Sequence, residues 1–76
     1  MTEIEKLLQE DAGVESKPDV MDGLPVIKGT RIPVYIILEL LEAGALPEEI
    51  LREYPPLTQD SVRAALRFAS RVAALH

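Results

Sequence analysis

Three arginines recur at every fourth position near the carboxyl end of the chain, and they are the strongest candidates for binding chemistry. Arg63, Arg67 and Arg71 fall within an arc of about 80° on a helix of about 100° per residue. Like charges four residues apart repel each other by about 0.2–0.5 kcal/mol per pair. This arginine face is therefore either simply solvated or placed to meet an anion. The anion could be DNA phosphate, an acidic partner surface, or the chain's own acidic N-terminal segment.

A second, weaker basic spot lies in the middle of the chain, at Lys28 and Arg31. Together with the arginine face, these residues are the candidate DNA-binding positions, although Arg31 could instead pair with a carboxylate. The net charge is −5. Residues 1–27 carry seven acids and two bases, whereas residues 28–76 carry six of each. An acidic chain does not favour indiscriminate nucleic-acid binding. The net charge does not, however, exclude a locally basic face that binds DNA.

Residues suited to catalysis are present without the partners that catalysis needs. Glu48 and Glu49 form a carboxylate pair, but acids in this position are typical of the first turn of a helix. The only histidine is the terminal His76, and there is no cysteine. The hydroxyl groups therefore lack a base to activate them. We predict no enzymatic activity, no metal site and no cofactor. The hydroxyl residues considered are Thr30, Ser61 and Ser70.

The length and composition describe one small domain. A chain of 76 residues forms only a thin core, so a partner subunit is expected to add stability, and we predict a homodimer. No apolar run of about 18 residues is present, which predicts no membrane span. The N-terminal residues are acidic rather than basic and apolar, unlike a signal peptide. A cytoplasmic location is the resulting expectation.

The N-terminal part divides into an acidic arm and an extended segment. Residues 1–13 form the arm, in which a short helix is expected over residues 3–10 after Thr2. Residues 14–76 are predicted to form the domain proper. Asp22-Gly23 is typical of a hairpin turn, here between short strands at residues 20–21 and 25–27. So short a ribbon is expected to pack on the helices or pair with another chain.

Pairing with another chain would use the apolar residues of this ribbon. Edge strands of two copies can join across a two-fold axis. The candidate dimer or partner residues are Val20, Met21, Val26, Ile27 and Ile32.

Three helices are predicted in the remainder, over residues 33–43, 47–54 and 58–75. Pro33 and Pro47 suit the first helical position, and Gly44 suits the end of the first helix. Two short helices, a glycine-containing turn and a longer helix are typical of helix-turn-helix domains, but a plain three-helix bundle has the same pattern. In the third helix an apolar seam is expected to be buried. The seam residues are Val62, Leu66, Ala69 and Ala73.

Residues 22–34 read Asp-Gly-Leu-Pro-Val-Ile-Lys-Gly-Thr-Arg-Ile-Pro-Val. This segment resembles the signature of the domain of unknown function 433, Gly-Lys-Pro-Val-Ile-(Arg/Lys)-Gly-Thr-Arg-Ile-Pro-Val. The resemblance extends over roughly residues 14–70. Leu24 replaces a usual lysine, and Leu46 replaces a usual serine cap. Within the signature, Gly29 permits a sharp bend and Thr30 can bond the local backbone.

The resemblance implies a homeodomain-like or winged-helix-like fold. It also implies the antitoxin half of a toxin–antitoxin pair, often encoded beside a PIN-like nuclease. We therefore predict a mainly α domain with a three-helix helix-turn-helix core and a small N-terminal β-ribbon. Its expected function is that of a homodimeric DNA-binding regulator with a PIN-like nuclease as toxin partner. The alternative is a protein-binding adaptor or antitoxin that never contacts DNA.

Overall fold

The computed structural model describes residues 2–75, so His76 lies outside the described residues. The described chain is mainly helical with one small antiparallel sheet, which confirms the predicted class. Within it no helix is both long enough and apolar enough to cross a membrane. The helices are α1 (Glu3–Glu10), α2 (Val34–Glu42), α3 (Pro47–Glu53) and α4 (Gln59–Ala73), and the strands are β1 (Val14–Glu15) and β2 (Val26–Ile27).

The acidic N-terminal segment forms a helix that packs against the rest of the chain. The Thr2 hydroxyl caps α1 by accepting a hydrogen bond from the Glu5 amide at 3.1 Å. Leu7 and Leu8 are partly buried against the core, and α1 lies against α4. An isolated helix of two turns is marginal in water, so this tertiary contact is what stabilises α1.

The sheet joins residues that are farther apart than the sequence predicts. Strands β1 and β2 pair antiparallel, with Val14 opposite Ile27 and Glu15 opposite Val26. The hairpin expected at Asp22-Gly23 is therefore wrong. Those residues belong to a turn of 3₁₀ helix in the connection between the strands. Val14 is almost fully buried, and its burial stabilises the longer-range pairing.

Two of the five candidate dimer residues are buried within the chain itself. Val26 and Ile27 lie in the core of their own chain, where 1% and 4% of their surface is exposed. The free edge of β2 is closed by the chain itself, because the Ile27 amide donates to the Ile32 carbonyl at 3.0 Å. The Val34 amide likewise donates to the Pro25 carbonyl at 2.9 Å. This strand edge therefore has no free groups for a second copy. Of the other candidates, Val20 and Ile32 are half-buried and Met21 is exposed.

The core lies where α2, α3, α4 and the sheet meet. Ile37 of α2 and Ile50 of α3 are fully buried, whereas Leu38 of α2 is only partly buried. The buried cluster consists of Val14, Ile27, Val34, Ile37, Ile50, Leu57, Val62, Ala64, Ala65 and Phe68.

The buried face of α4 is rotated from the predicted seam. Val62 is buried, but Leu66 is 49% exposed and Ala73 is exposed. The reason is that α4 contacts α1, α2, α3 and both strands, so its buried residues, Val62, Ala64, Ala65 and Phe68, span a wider arc than one seam. The side against the N-terminal segment is tight, because a Cβ added at Gly13 would lie 2.5 Å from the Ala64 Cβ.

The helix boundaries follow the predictions closely. Pro33 lies at the N-cap of α2 rather than in its first turn, and Thr58 caps α4. Leu46 offers no side-chain cap to α3, as its sequence implies. The Glu49 carboxylate compensates by accepting a hydrogen bond from the Leu46 amide at 2.8 Å.

Candidate functional site

The central residue of the arginine face is already engaged within the chain. The Arg67 guanidinium donates to both carboxylate oxygens of Asp11, from Nη2 at 3.0 Å and from Nε at 3.4 Å. The Asp11 side chain is 1% exposed, whereas that of Arg67 is 42% exposed. The Gly13 amide donates to the same carboxylate at 2.8 Å. The acidic N-terminal segment is therefore the anion that Arg67 meets.

This network shifts the acid–base properties of both partners. Burial raises the pKa of the Asp11 carboxyl, but the hydrogen bonds from Arg67 and Gly13 and the charges of Arg67 and Arg71 outweigh it. The pKa of Asp11 therefore lies below its usual value. The hydrogen bond to Asp11 and the carboxylate charge raise the pKa of Arg67, and Asp60 adds to this. The arginine face is thus partly neutralised by two acids.

The remaining sequence-predicted DNA-binding residues lie exposed on different elements. Arg63 and Arg71 are on α4, while Lys28 and Arg31 follow β2. Among residues 2–75, none of these four has a carboxylate oxygen within 4.0 Å. Arg71 nevertheless lies close enough to Asp11 to lower its pKa. Of the arginine face, Arg63 and Arg71 are the two side chains available to an external anion.

The Gly-Thr-Arg segment, residues 29–31, forms the bend of the backbone between β2 and α2. The Thr30 hydroxyl donates to the Ile27 carbonyl at 2.8 Å and accepts from the Ile32 amide at 3.0 Å. Gly29 has a φ of +80°, and its amide donates to the Glu15 carboxylate at 2.9 Å. Glycine and threonine in this motif therefore have structural roles. Arg31 borders a shallow depression of about 410 Å³ beside them.

A second surface, which the sequence analysis did not identify, is an open apolar groove between α2 and α4. It encloses about 310 Å³ and has no charged lining residue. Leu24 and Tyr35 stand at its mouth with 43% and 46% of their surface exposed. The sequence did contain a signal for this groove. Ala69 and Ala73, predicted to belong to the buried seam of the third helix, line the groove instead of filling the core. The groove is lined by Leu24, Pro25, Val34, Tyr35, Leu38, Phe68, Ala69, Val72 and Ala73.

Metal-binding side chains are not grouped in the part of the chain that the structure describes. Across residues 2–75 no set of three or more His, Cys, Asp or Glu side chains is placed to hold a metal ion. All buried side-chain nitrogen and oxygen atoms there have hydrogen-bond partners.

The family described as "Protein of unknown function (DUF433)" matches residues 14–69, which is most of the chain. The chain belongs to the DUF433 family. The matched range begins at β1 and ends within α4, so helix α1 lies before it.

The chain is similar to a curated protein and to a protein of known structure. It is 39% identical over 56 residues to "Uncharacterized protein y4eO" of Sinorhizobium fredii, covering 74% of this chain and 25% of that protein. The chain thus spans about a quarter of the length of this curated relative. The crystal structure of a DUF433 member protein from Anabaena variabilis superposes with a TM-score of 0.75 at 28% identity. That comparison covers 90% of this chain and 67% of the other.

Proposed function

We propose that this DUF433 domain is a non-catalytic protein-binding module of the antitoxin kind, whose apolar groove receives a segment of the partner protein. The observation that carries the proposal is the groove itself. It is open, about 310 Å³ in volume and lined by uncharged residues. Exposed apolar surfaces of this kind in soluble proteins mark interaction sites, and an amphipathic helix in an apolar groove is a common mode of recognition.

The charge distribution favours protein binding over DNA binding. The chain has a net charge of −5. Arg67 is held by Asp11, and the acidic helix α1 packs on α4 beside it. A phosphate backbone approaching this side of α4 would meet those carboxylates as well as the arginines. An apolar partner surface that binds the groove meets no such charge repulsion, because the residues that line the groove are uncharged.

The antitoxin role is part of the same proposal. The family resemblance implies a PIN-like nuclease as partner, and neutralising an enzyme requires a stable contact rather than chemistry of the domain's own. The proposal therefore includes the absence of catalytic activity and the cytoplasmic location expected from the sequence. The chain matches only a quarter of the length of its longer relative. This coverage supports the proposal of a binding module that is combined with other domains.

The experiment that tests the proposal places a charge in the groove. Ala73 and Ala74 are adjacent exposed alanines at the end of α4, but only Ala73 lines the groove. Ala73 is the last residue of α4 and Ala74 its C-cap, so Ala73→Glu and Ala74→Glu add the same side chain and charge at neighbouring positions. We expect calorimetric titration with the purified product of the adjacent gene to give a loss of affinity of about tenfold or more for Ala73→Glu. Ala74→Glu should bind like wild type. No binding by wild type, or equal binding by all three proteins, would overturn the proposal.

A DNA-binding regulator is the second candidate function, favoured by the exposed Arg63 and Arg71 on the longest helix. The order α2, α3 and α4 is compatible with a helix-turn-helix in which α4 is the recognition helix. Four such arginines in a homodimer would give a slope of log affinity against log salt of about −4. Replacing Arg63 and Arg71 by glutamine should abolish salt-dependent binding to the chain's own promoter. Unchanged affinity after the substitutions would eliminate this candidate.

A further inference from the structure

The residues around the apolar groove carry a charge pattern that selects its occupant. On α2, Tyr35, Glu39 and Glu42 fall within an arc of about 60°. All three are exposed, and Tyr35 lines the groove. Asp22, also exposed, comes two residues before the groove residue Leu24. By helix register Glu39 lies one turn from Tyr35 and Glu42 one turn from Leu38, so acids flank the α2 side of the groove. Asp22 adds an acid in the loop that leads to Leu24.

The opposite border of the groove, on α4, offers no compensating cation. Arg67 is bound to Asp11, and by helix register Arg71 lies on the same side of α4 as Arg67, away from the groove residues Ala69 and Ala73. Within residues 2–75, neither Glu39 nor Glu42 has a lysine or arginine nitrogen within 4.0 Å. The acids beside the groove are thus free to pair with an external cation.

We infer that the occupant of the groove is an amphipathic helix with an apolar ridge and basic flanks, supplied by a different protein. This inference rests on the proposed function and specifies the partner segment. The apolar ridge fills the groove, and lysine or arginine side chains flanking it face Glu39, Glu42 and Asp22. A second copy of this chain would bring one acidic border against another, which like-charge repulsion disfavours. The groove is therefore not the surface of a homodimer.

Two designed peptides test the inference directly. Both are 18-residue amphipathic helices with leucines at positions i, i+3, i+4 and i+7; one has lysines beside the leucine ridge and the other has glutamates. We expect fluorescence anisotropy to give an affinity about tenfold higher for the lysine peptide, a preference that declines as salt screens the charges. Ala73→Glu should weaken binding of the lysine peptide, whereas Ala74→Glu should not.

Matched charge reversals distinguish attraction to the acids beside the groove from attraction to the overall negative charge of the chain. Glu39→Lys with Glu42→Lys, and Glu48→Lys with Glu53→Lys, each change the net charge from −5 by four units to −1. Only the first pair lies beside the groove, since Glu48 and Glu53 are on α3. The first double variant should lose the preference for the lysine peptide and the second should keep most of it.

Equal losses in the two double variants would show attraction to net charge alone and would overturn the inference. Absence of peptide binding would also overturn it, and the proposed function would stand if Ala73→Glu still weakened binding of the adjacent gene product. If the groove variants left that product's binding unchanged, the proposed function itself would fail.

Discussion

The carboxylate of Asp11 and the guanidinium of Arg67 form a two-bond ion pair across 56 positions of sequence. This pair ties the end of α1 to the middle of α4, and the Gly13 amide completes the environment of the carboxylate. It makes the acidic N-terminal arm part of the packed domain. It also pairs the charge of the central arginine of the face that the sequence offered to DNA, although the Arg67 side chain stays 42% exposed.

The first prediction concerns the pH dependence that this pair confers. Because the pKa of Asp11 is lowered in the folded chain, its contribution to stability is present above the unfolded pKa of about 3.9 and is lost as pH falls through the lower folded value. Asp11→Asn should therefore destabilise the domain at pH 7. The difference from wild type should shrink below about pH 4. Urea unfolding at pH 7, 5 and 3, followed by circular dichroism, measures this difference in stability. The control is Glu10→Gln, a substitution at the exposed neighbouring residue. A difference that stays the same at pH 3 and pH 7 would contradict the assignment.

A second prediction tests the close approach of the N-terminal segment to α4. Gly13→Ala places a methyl group 2.5 Å from the Ala64 Cβ, so the two segments must separate. Overpacking of this kind costs about 1–3 kcal/mol in free energy of unfolding. Ala64→Gly removes the obstructing carbon but costs about 1 kcal/mol in helix propensity. In a double-mutant cycle Gly13→Ala should then be harmless in the Ala64→Gly background. Simple additivity of the two effects would show that the residues do not touch.

The third prediction ranks two neighbouring positions in α2. Ile37 has no exposed surface, whereas Leu38 is partly buried beside the open groove. Ile37→Ala should cost about 2–5 kcal/mol, the range for a fully buried aliphatic side chain, and Leu38→Ala should cost clearly less. Chemical denaturation of both variants gives the comparison. The reverse order would place the core on the other face of the helix.

A fourth prediction assigns Thr30 a structural role that depends on its hydroxyl group. Thr30→Val keeps the shape but leaves the partly buried Ile32 amide without its acceptor, which should cost less than the roughly 1–3 kcal/mol of a fully buried unsatisfied donor. Thr30→Ser keeps the hydroxyl and should retain most of the stability. Thermal unfolding of the two variants separates these outcomes. If valine and serine were equally tolerated, the two hydrogen bonds of Thr30 would not stabilise the bend.

Local signals in the sequence predicted the helices well. The proline at the start of α3, the threonine before α4 and the apolar spacing of α2 are short-range features, and the helices begin and end within two residues of the predicted positions. Turn residues misled the strand prediction. Asp22-Gly23 suits a hairpin, but Met21 and Asp22 both adopt positive φ, 50° and 56°, and the chain turns through a 3₁₀ segment.

The candidate sites depended on long-range packing that periodicity does not reveal. The spacing of the arginine face was correct, but only the position of α1 determines that Arg67 meets Asp11. Likewise Leu66, Ala69 and Ala73 have the spacing of a buried seam. Leu66 and Ala73 are nevertheless exposed, and Ala69 and Ala73 line the groove, because the elements that pack on α4 leave this side of it open.

A titration of the ¹⁵N-labelled chain with the product of the adjacent gene, followed by amide chemical shifts, locates the partner-binding surface residue by residue. We expect the largest shift changes along the walls of the groove, at Leu38, Ala69, Val72 and Ala73. Changes centred on Arg63 and Arg31, or no changes in the presence of the partner, would contradict this expectation.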